Sequence, residues 1–304
     1  MRSTVKAAIP FQGTGLHSGR MVRLRLCPAA SGTGIVFRRT DVALDQGTIP
    51  ARYDLVTDTT LCTKLTNEFG VSVGTVEHLM AALAGSGVSD ALITLDGPEV
   101  PIMDGSAVPF VRGILSTGVR ALPGVYRALR IEKPVEVVDG ERVARLLPAE
   151  RFELAFEIDF ADAAIGCQTL ERTVTGAAFV HELADCRTFG RLSDVEMLRR
   201  AGLARGGSLE NAVVVDGGKV LNPGGLRRSD EFVRHKMLDA VGDLALAGAP
   251  IIGRYEGARS GHEMTNRLLH ALFADPGAFR RATARADLVP AAGAEPVERD
   301  RLAV

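Results

Sequence analysis

Gly74-Thr75-Val76-Glu77-His78-Leu79-Met80-Ala81-Ala82-Leu83-Ala84-Gly85, residues 74–85, is where this 304-residue chain changes period. Val76, Leu79, Met80 and Leu83 fall at i, i+3, i+4 and i+7, the apolar stripe of a helix, and Gly85 and Gly87 bring it to a close. On both sides the period is two. Upstream, Val22, Leu24 and Leu26 alternate with Arg23 and Arg25 after the Gly-rich run Gly13-Thr14-Gly15-Leu16-His17-Ser18-Gly19, which predicts a half-buried hairpin around a turn. Downstream, Ala91–Leu95 reads as a strand, and Gly97-Pro98-Glu99-Val100-Pro101-Ile102-Met103-Asp104-Gly105 as an irregular loop fixed by its Pro and Gly content. Strands followed by a helix is the order of an α+β unit, not of alternating βαβ units.

The second half repeats that order. Leu122-Pro123-Gly124 punctuates the chain, and a fresh strand series starts near Arg130 with Ile131-Glu132-Lys133-Pro134-Val135-Glu136-Val137-Val138. Phe152, Leu154, Phe156, Ile158 and Phe160 alternate strictly, which is the plainest strand pattern in the chain. Residues 190–221 read as an insert, with a short helix over 194–201 and a hairpin around Asp216-Gly217-Gly218. A long helix is expected over 230–247, and a last one begins near Ser260, its N-cap candidate. We therefore expect two similar α+β domains, 1–124 and 125–287, and a disordered tail over 288–304, where Ala, Pro and Glu dominate.

Composition removes whole classes of function. With 36 basic and 37 acidic residues the chain has no broad positive field, which argues against a nucleic-acid partner. No apolar run is long enough to span a bilayer, and the start lacks a signal peptide's apolar core, so the expectation is a cytoplasmic protein with no transmembrane segment. The four cysteines, Cys27, Cys62, Cys167 and Cys186, form no Cys-x-x-Cys pair, so any metal must be held by histidine and carboxylate. Neither a Walker phosphate loop nor a His-Glu-x-x-His zinc-protease helix is present.

His235, Asp239 and Asp243, spaced by four, share one face of the long helix, opposite Val233, Met237, Ala240, Val241 and Leu244. Alone, that face reads as solvated; a His and an Asp at i and i+4 can also grip one divalent ion. Glu77-His78 opens the first helix with His78 off the apolar stripe, a position that by itself also reads as exposed. Two His and one Asp from separate halves would complete a three-ligand site with an open position for water, and Glu77 would stand beside that water as general base. Ser260-Gly261-His262 places a histidine in a first helical turn, where the dipole disfavours its protonation and a carboxylate such as Asp243 restores it. Two classes stay open on these residues: a metal-dependent hydrolase, and a binding protein whose polar helix faces are merely wet.

Longer motifs go further. Thr75-Val76-Glu77-His78-Leu79-Met80-Ala81-Ala82-Leu83-Ala84-Gly85, Pro101-Ile102-Met103-Asp104-Gly105-Ser106-Ala107 and Asp230-Glu231-Phe232-Val233-Arg234-His235-Lys236-Met237-Leu238-Asp239-Ala240 closely resemble the zinc-dependent UDP-3-O-acyl-N-acetylglucosamine deacetylase family. Residues 13–19, Cys186-Arg187-Thr188-Phe189-Gly190 and Ser260-Gly261-His262 match it too. The resemblance implies removal of the N-acetyl group from UDP-3-O-(3-hydroxyacyl)-N-acetylglucosamine, an early committed step of lipid A biosynthesis. It implies two α+β domains with helices layered between two outer sheets and the active site at their junction. His78, His235 and Asp239 match the ligands of one Zn2+, a set that also accommodates Fe2+. Glu77 matches the general base, His262 the general acid, Asp243 the carboxylate that orients and charges it, Thr188 an oxyanion hydroxyl and Lys236 a lysine near substrate. The insert 190–221 matches the passage for the acyl chain, with Val195 and residues 212–215 as lining. Phe160 is expected against the uracil ring, and Phe189 and Cys62 on segments bordering the substrate. The expected partner is the UDP-linked acylated amino sugar alone, bound by a monomer.

Overall fold

A computed structural model describes residues 1–283; the tail expected over 288–304, and the last four residues of the expected second domain, lie outside the described residues. After β1 (Arg2–Val5), β2 (Ile9–Thr14) and β3 (Met21–Pro28) form the expected hairpin, with Ile9 opposite Leu26 and Thr14 opposite Met21. β4 (Ile35–Arg39) and β5 (Thr48–Pro50) pair with each other, and β6 (Val56–Asp58), β7 (Lys64–Thr66) and β8 (Ser72–Val73) make a small antiparallel sheet leading into α1 (Glu77–Gly85). β9 (Ala91–Leu95) then enters between β3, antiparallel, and β4, parallel, and completes a sheet of order β2-β3-β9-β4-β5. α2 (Val108–Thr117), with Pro109 in its first turn, precedes β10 (Val119–Leu122), which pairs back onto β1. α2 is an addition to the elements read from the sequence: its buried stripe, Val108, Val111 and Ile114, is short and abuts a Pro- and Gly-rich loop.

Past Leu122-Pro123-Gly124 come β11 (Arg127–Ile131), β12 (Val135–Asp139), β13 (Arg142–Leu147), β14 (Phe152–Asp159) and β15 (Cys167–Thr173). A single turn, α3 (Gly176–Ala178), is capped by the Thr175 hydroxyl and widens into a π turn over Phe179–Leu183. The segment read as an insert is a local unit: β16 (Phe189–Arg191), α4 (Leu192–Arg200) and the hairpin β17 (Val213–Asp216) to β18 (Lys219–Val220), the three strands forming their own sheet. α5 (Glu231–Ala245), β19 (Ile251–Ala258), α6 (His262–Ala274) and β20 (Phe279–Thr283) complete the described chain. β19 is the hub of a seven-stranded sheet, antiparallel to β13 and parallel to β14 and β11.

The helices meet one another and the sheets back them, an α+β arrangement. α1 packs along α5 and touches α2; α2 rests on β2, α5 on β14 and β15, and α6 on β12 and β13. Contact between α1 and α5 is close because Gly242 has no side chain: a Cβ there would stand 2.0 Å from the Glu77 carbonyl oxygen. This packing overturns the solvated reading of both polar faces. His235, Asp239 and Asp243 are 3%, 4% and 3% exposed, and Glu77 and His78 are buried as well. Both helices are buried along most of their length, so each buried polar group needs a partner. The N-cap of α6 is also corrected: Gly261 occupies it in extended conformation, and the Ser260 hydroxyl pairs instead with the Tyr255 hydroxyl at 3.0 Å.

Candidate active site

α1 and α5 bring three ligand-type side chains together. His78 Nε2 lies 3.5 Å and His235 Nε2 3.3 Å from Asp239 Oδ1, and the two imidazole rings stand edge-on with centroids 5.1 Å apart. Two ligands at about 2.0–2.1 Å from a tetrahedral zinc stand roughly 3.3 Å from each other, so this spacing suits the edges of such a site. The proton inventory points the same way. His235 Nδ1 donates to the Cys186 carbonyl oxygen at 3.1 Å, which leaves Nε2 as a bare lone pair aimed at the cluster. Burial, against the pull of Asp239, depresses the His235 pKa to about 3, so the ring is neutral. Burial opposes the Asp239 charge, yet the Lys236 ammonium beside it holds that carboxyl well below its usual range. Lys236 Nζ takes Oδ2 at 2.8 Å, and Oδ1 is left buried with no hydrogen-bond partner among the described residues. An ionised, orphaned oxygen facing two imidazole nitrogens is the donor set a divalent cation completes. His78 Nδ1 is likewise buried and unpartnered.

Two proton-handling groups adjoin the trio. The Glu77 carboxyl is raised above its ordinary value by burial, an effect that His262 and His78 partly offset. Its Oε2 accepts the Thr63 backbone N–H at 3.0 Å. Asp243, one turn beyond Asp239 on α5, accepts from His262 Nδ1 at 2.8 Å through Oδ2 and from the Thr63 hydroxyl at 2.6 Å through Oδ1. Burial alone would lower the His262 pKa; Asp243 outweighs it and raises the ring to about 9, making it a cation at neutral pH.

The loop Cys186-Arg187-Thr188 is tied down by a buried ion pair. Arg187 Nε and Nη2 and its backbone N–H all reach the Glu231 carboxylate, at 2.9, 3.1 and 3.0 Å. Its neighbour Thr188 is held between Gly105, whose carbonyl accepts its N–H, and Val213, whose N–H its carbonyl accepts, each at 2.8 Å. Phe189 is an aromatic bridge: its ring lies 5.6 Å from Phe160, 4.9 Å from Phe232 and 6.0 Å from His235, which brings two of the residues expected at the substrate onto the edge of the cluster. Cys62 adjoins Thr63, its thiol pushed up to about 12 by burial and next by the Glu77 charge. Val195 stands further out, on α4 beside Gly190, and that helix packs on β16 and β17. The Gly-rich turn over residues 13–19 grips an anion of the chain itself, since His17 N–H, Ser18 N–H and the Thr75 hydroxyl all donate to Glu99.

Thr63, Glu99 and the Arg187–Glu231 pair are additions to the residues expected from sequence. Arg187 and Glu231 sit inside quoted motifs, a signal that was available; a single threonine before a short strand carries none. All four cysteines are free thiols. Among the described residues, no helix is long and apolar enough to cross a membrane.

Comparison with known proteins agrees with this geometry. A family model described as UDP-3-O-acyl N-acetylglycosamine deacetylase matches residues 2–274. A protein of Phenylobacterium zucineum named UDP-3-O-acyl-N-acetylglucosamine deacetylase is 54% identical over 288 residues, 95% of this chain and 98% of the relative. Proteins of the same name from Myxococcus xanthus and Photobacterium profundum are 50% and 46% identical; they align with 93% and 96% of this chain and 89% and 97% of their own lengths.

Proposed function

Because the chain belongs to the UDP-3-O-acyl-N-acetylglucosamine deacetylase family, we propose that it hydrolyses the N-acetyl group of UDP-3-O-(3-hydroxyacyl)-N-acetylglucosamine to a free amine and acetate, an early committed step of lipid A biosynthesis. The observation that carries this reading is the buried trio His78, His235 and Asp239, with a raised carboxyl, Glu77, beside it and a histidine cation, His262, on the next carboxylate along α5. A zinc ion held by His78 Nε2, His235 Nε2 and Asp239 Oδ1 would supply Lewis-acid charge and acidify water at an open position.

The protein's own groups move the protons. Glu77 takes a proton as water attacks the acetamide carbonyl, and burial, by raising its pKa, makes it a better acceptor than an exposed carboxylate. The Thr188 hydroxyl and the Lys236 ammonium face the developing oxyanion. His262, its Nδ1 committed to Asp243, gives its Nε2 proton to the departing nitrogen. Phe160 and Phe189 offer the uracil and sugar an apolar wall, Cys62 lies on a bordering segment, and the unit 190–221 with Val195 takes the acyl chain. We further propose that the chain divides near residue 124, since one large sheet draws only on residues 9–95 and the other only on 127–283. We propose too that it acts as a monomer, and in the cytoplasm, where four free thiols persist.

The test compares the intact substrate with the same UDP-sugar lacking its acyl chain. The intact substrate is expected to turn over with a much higher kcat/KM, because remote binding energy is used at the reacting centre. Equal rates on both would remove the acyl-chain assignment and point to another acetamido sugar.

A further inference from the structure

Thr63 spends every polar group it has on the proton-handling residues. It is buried, its hydroxyl donates to Asp243 Oδ1 at 2.6 Å, its N–H donates to Glu77 Oε2 at 3.0 Å, and its carbonyl accepts the Val76 N–H, at the N-cap of α1, at 3.3 Å. Glu77 lies on α1 and Asp243 on α5, so this residue, on neither helix, is a direct link between the base and the carboxylate of the His262 pair. An ionised carboxylate only accepts, and Asp243 therefore has two oxygens to assign. With Oδ1 fixed by Thr63, Oδ2 is the one that faces His262 Nδ1. On Glu77 the same logic engages Oε2 and leaves Oε1, which takes no hydrogen bond among the described residues, as the proton acceptor.

We propose that Thr63 is a positioning residue for the deacetylation: its hydroxyl sets the orientation of the Asp243–His262 acid and its N–H that of the Glu77 base, so that one residue holds both ends of the proton transfer in register. This rests on the reactive roles proposed above for Glu77 and His262, and adds a residue whose hydrogen bonds go to Glu77, Asp243 and Val76 and to none of His78, His235 and Asp239.

The experiment measures kcat, KM, bound metal and the urea midpoint for the wild type, Thr63→Val, Thr63→Ser, Asp243→Ala and the double variant Thr63→Val/Asp243→Ala. Thr63→Val is expected to lower kcat roughly 10- to 100-fold, the scale of a small misplacement of a reacting group, with KM and metal content unchanged. Thr63→Ser, which keeps the hydroxyl, is expected within about threefold of wild type, a smaller loss than a misplaced group gives. In the Asp243→Ala background, Thr63→Val is expected to change kcat by less than about twofold, since its action runs through the missing carboxylate. Equal losses with and without Asp243, or a Thr63→Ser as impaired as Thr63→Val, would overturn the clamp and leave Thr63 a packing residue. A wild type that releases no amine would instead sink the deacetylase reading, and the clamp with it.

Discussion

Replacing Gly242 by alanine tests whether the α1–α5 contact sets the geometry of the site. The new methyl would lie 2.0 Å from the Glu77 carbonyl oxygen, 2.8 Å from its carbonyl carbon and 3.0 Å from its Cα, where ordinary contact begins at 3.4 Å. All three are backbone atoms, so no side chain can swing aside, and the helices must separate locally by about 1.4 Å to restore that contact. Overpacking of this kind costs about 1–3 kcal/mol, against which alanine's better helix propensity returns about 1. Net destabilisation is therefore about 0–2 kcal/mol, read as an unchanged to lower urea midpoint. Function suffers more, because His78 and Glu77 ride on one helix and His235 and Asp239 on the other. A shift of about 1 Å between them is expected to lower kcat about 100-fold. Metal affinity, measured by competition with a chromophoric chelator, falls with it. Gly224→Ala, at a position with nothing within 4 Å, is the control and should change none of the three. A Gly242→Ala enzyme with wild-type kcat and metal affinity would refute the argument that this contact positions the site.

Three further substitutions separate the roles. Asp243→Asn removes the largest of the influences that offset burial and raise His262 to about 9; because turnover needs the protonated ring, the basic limb of the kcat profile should move down from near 9, the direction burial imposes. The same shift makes His262 stabilise the fold fully below 6.5 and lose that contribution as pH rises through 9, so the wild-type urea midpoint should fall across this window more than the variant's. Glu77→Ala should lower kcat by about 10²–10⁴ while elemental analysis still finds the metal; loss of the ion would make Glu77 a ligand. Glu231→Ala strands Arg187 and should cost about 3–5 kcal/mol in denaturant unfolding, whereas a cost near zero would mean the guanidinium finds another acceptor.

What the sequence could and could not reveal follows from what each pattern encodes. Period two at Val22, Leu24 and Leu26 and along β14, and period 3.6 around Leu79 and Leu83, are local signals, and the strands and helices they mark are in place. The spacing of His235, Asp239 and Asp243 is local as well, but whether that face meets water or another helix is not. An i, i+4 polar stripe looks the same in both cases, and only the contact with α1 decides it. Thr63 was silent because its partners lie 14 and 180 positions away. Ser260 looked like a cap by residue type, yet the Tyr255 hydroxyl takes it up, which frees Gly261 to open α6.

Metal-dependent deacetylation is decided by the initial rate of amine release from UDP-3-O-(3-hydroxyacyl)-N-acetylglucosamine, measured before chelation, after it, and after return of one equivalent of zinc. In the wild type, activity should disappear on chelation and return with the single equivalent; in Asp239→Ala it should not return. Activity that survives complete removal of metal, or a metal-loaded protein that leaves the acetamide intact, would contradict the mechanism built on His78, His235 and Asp239.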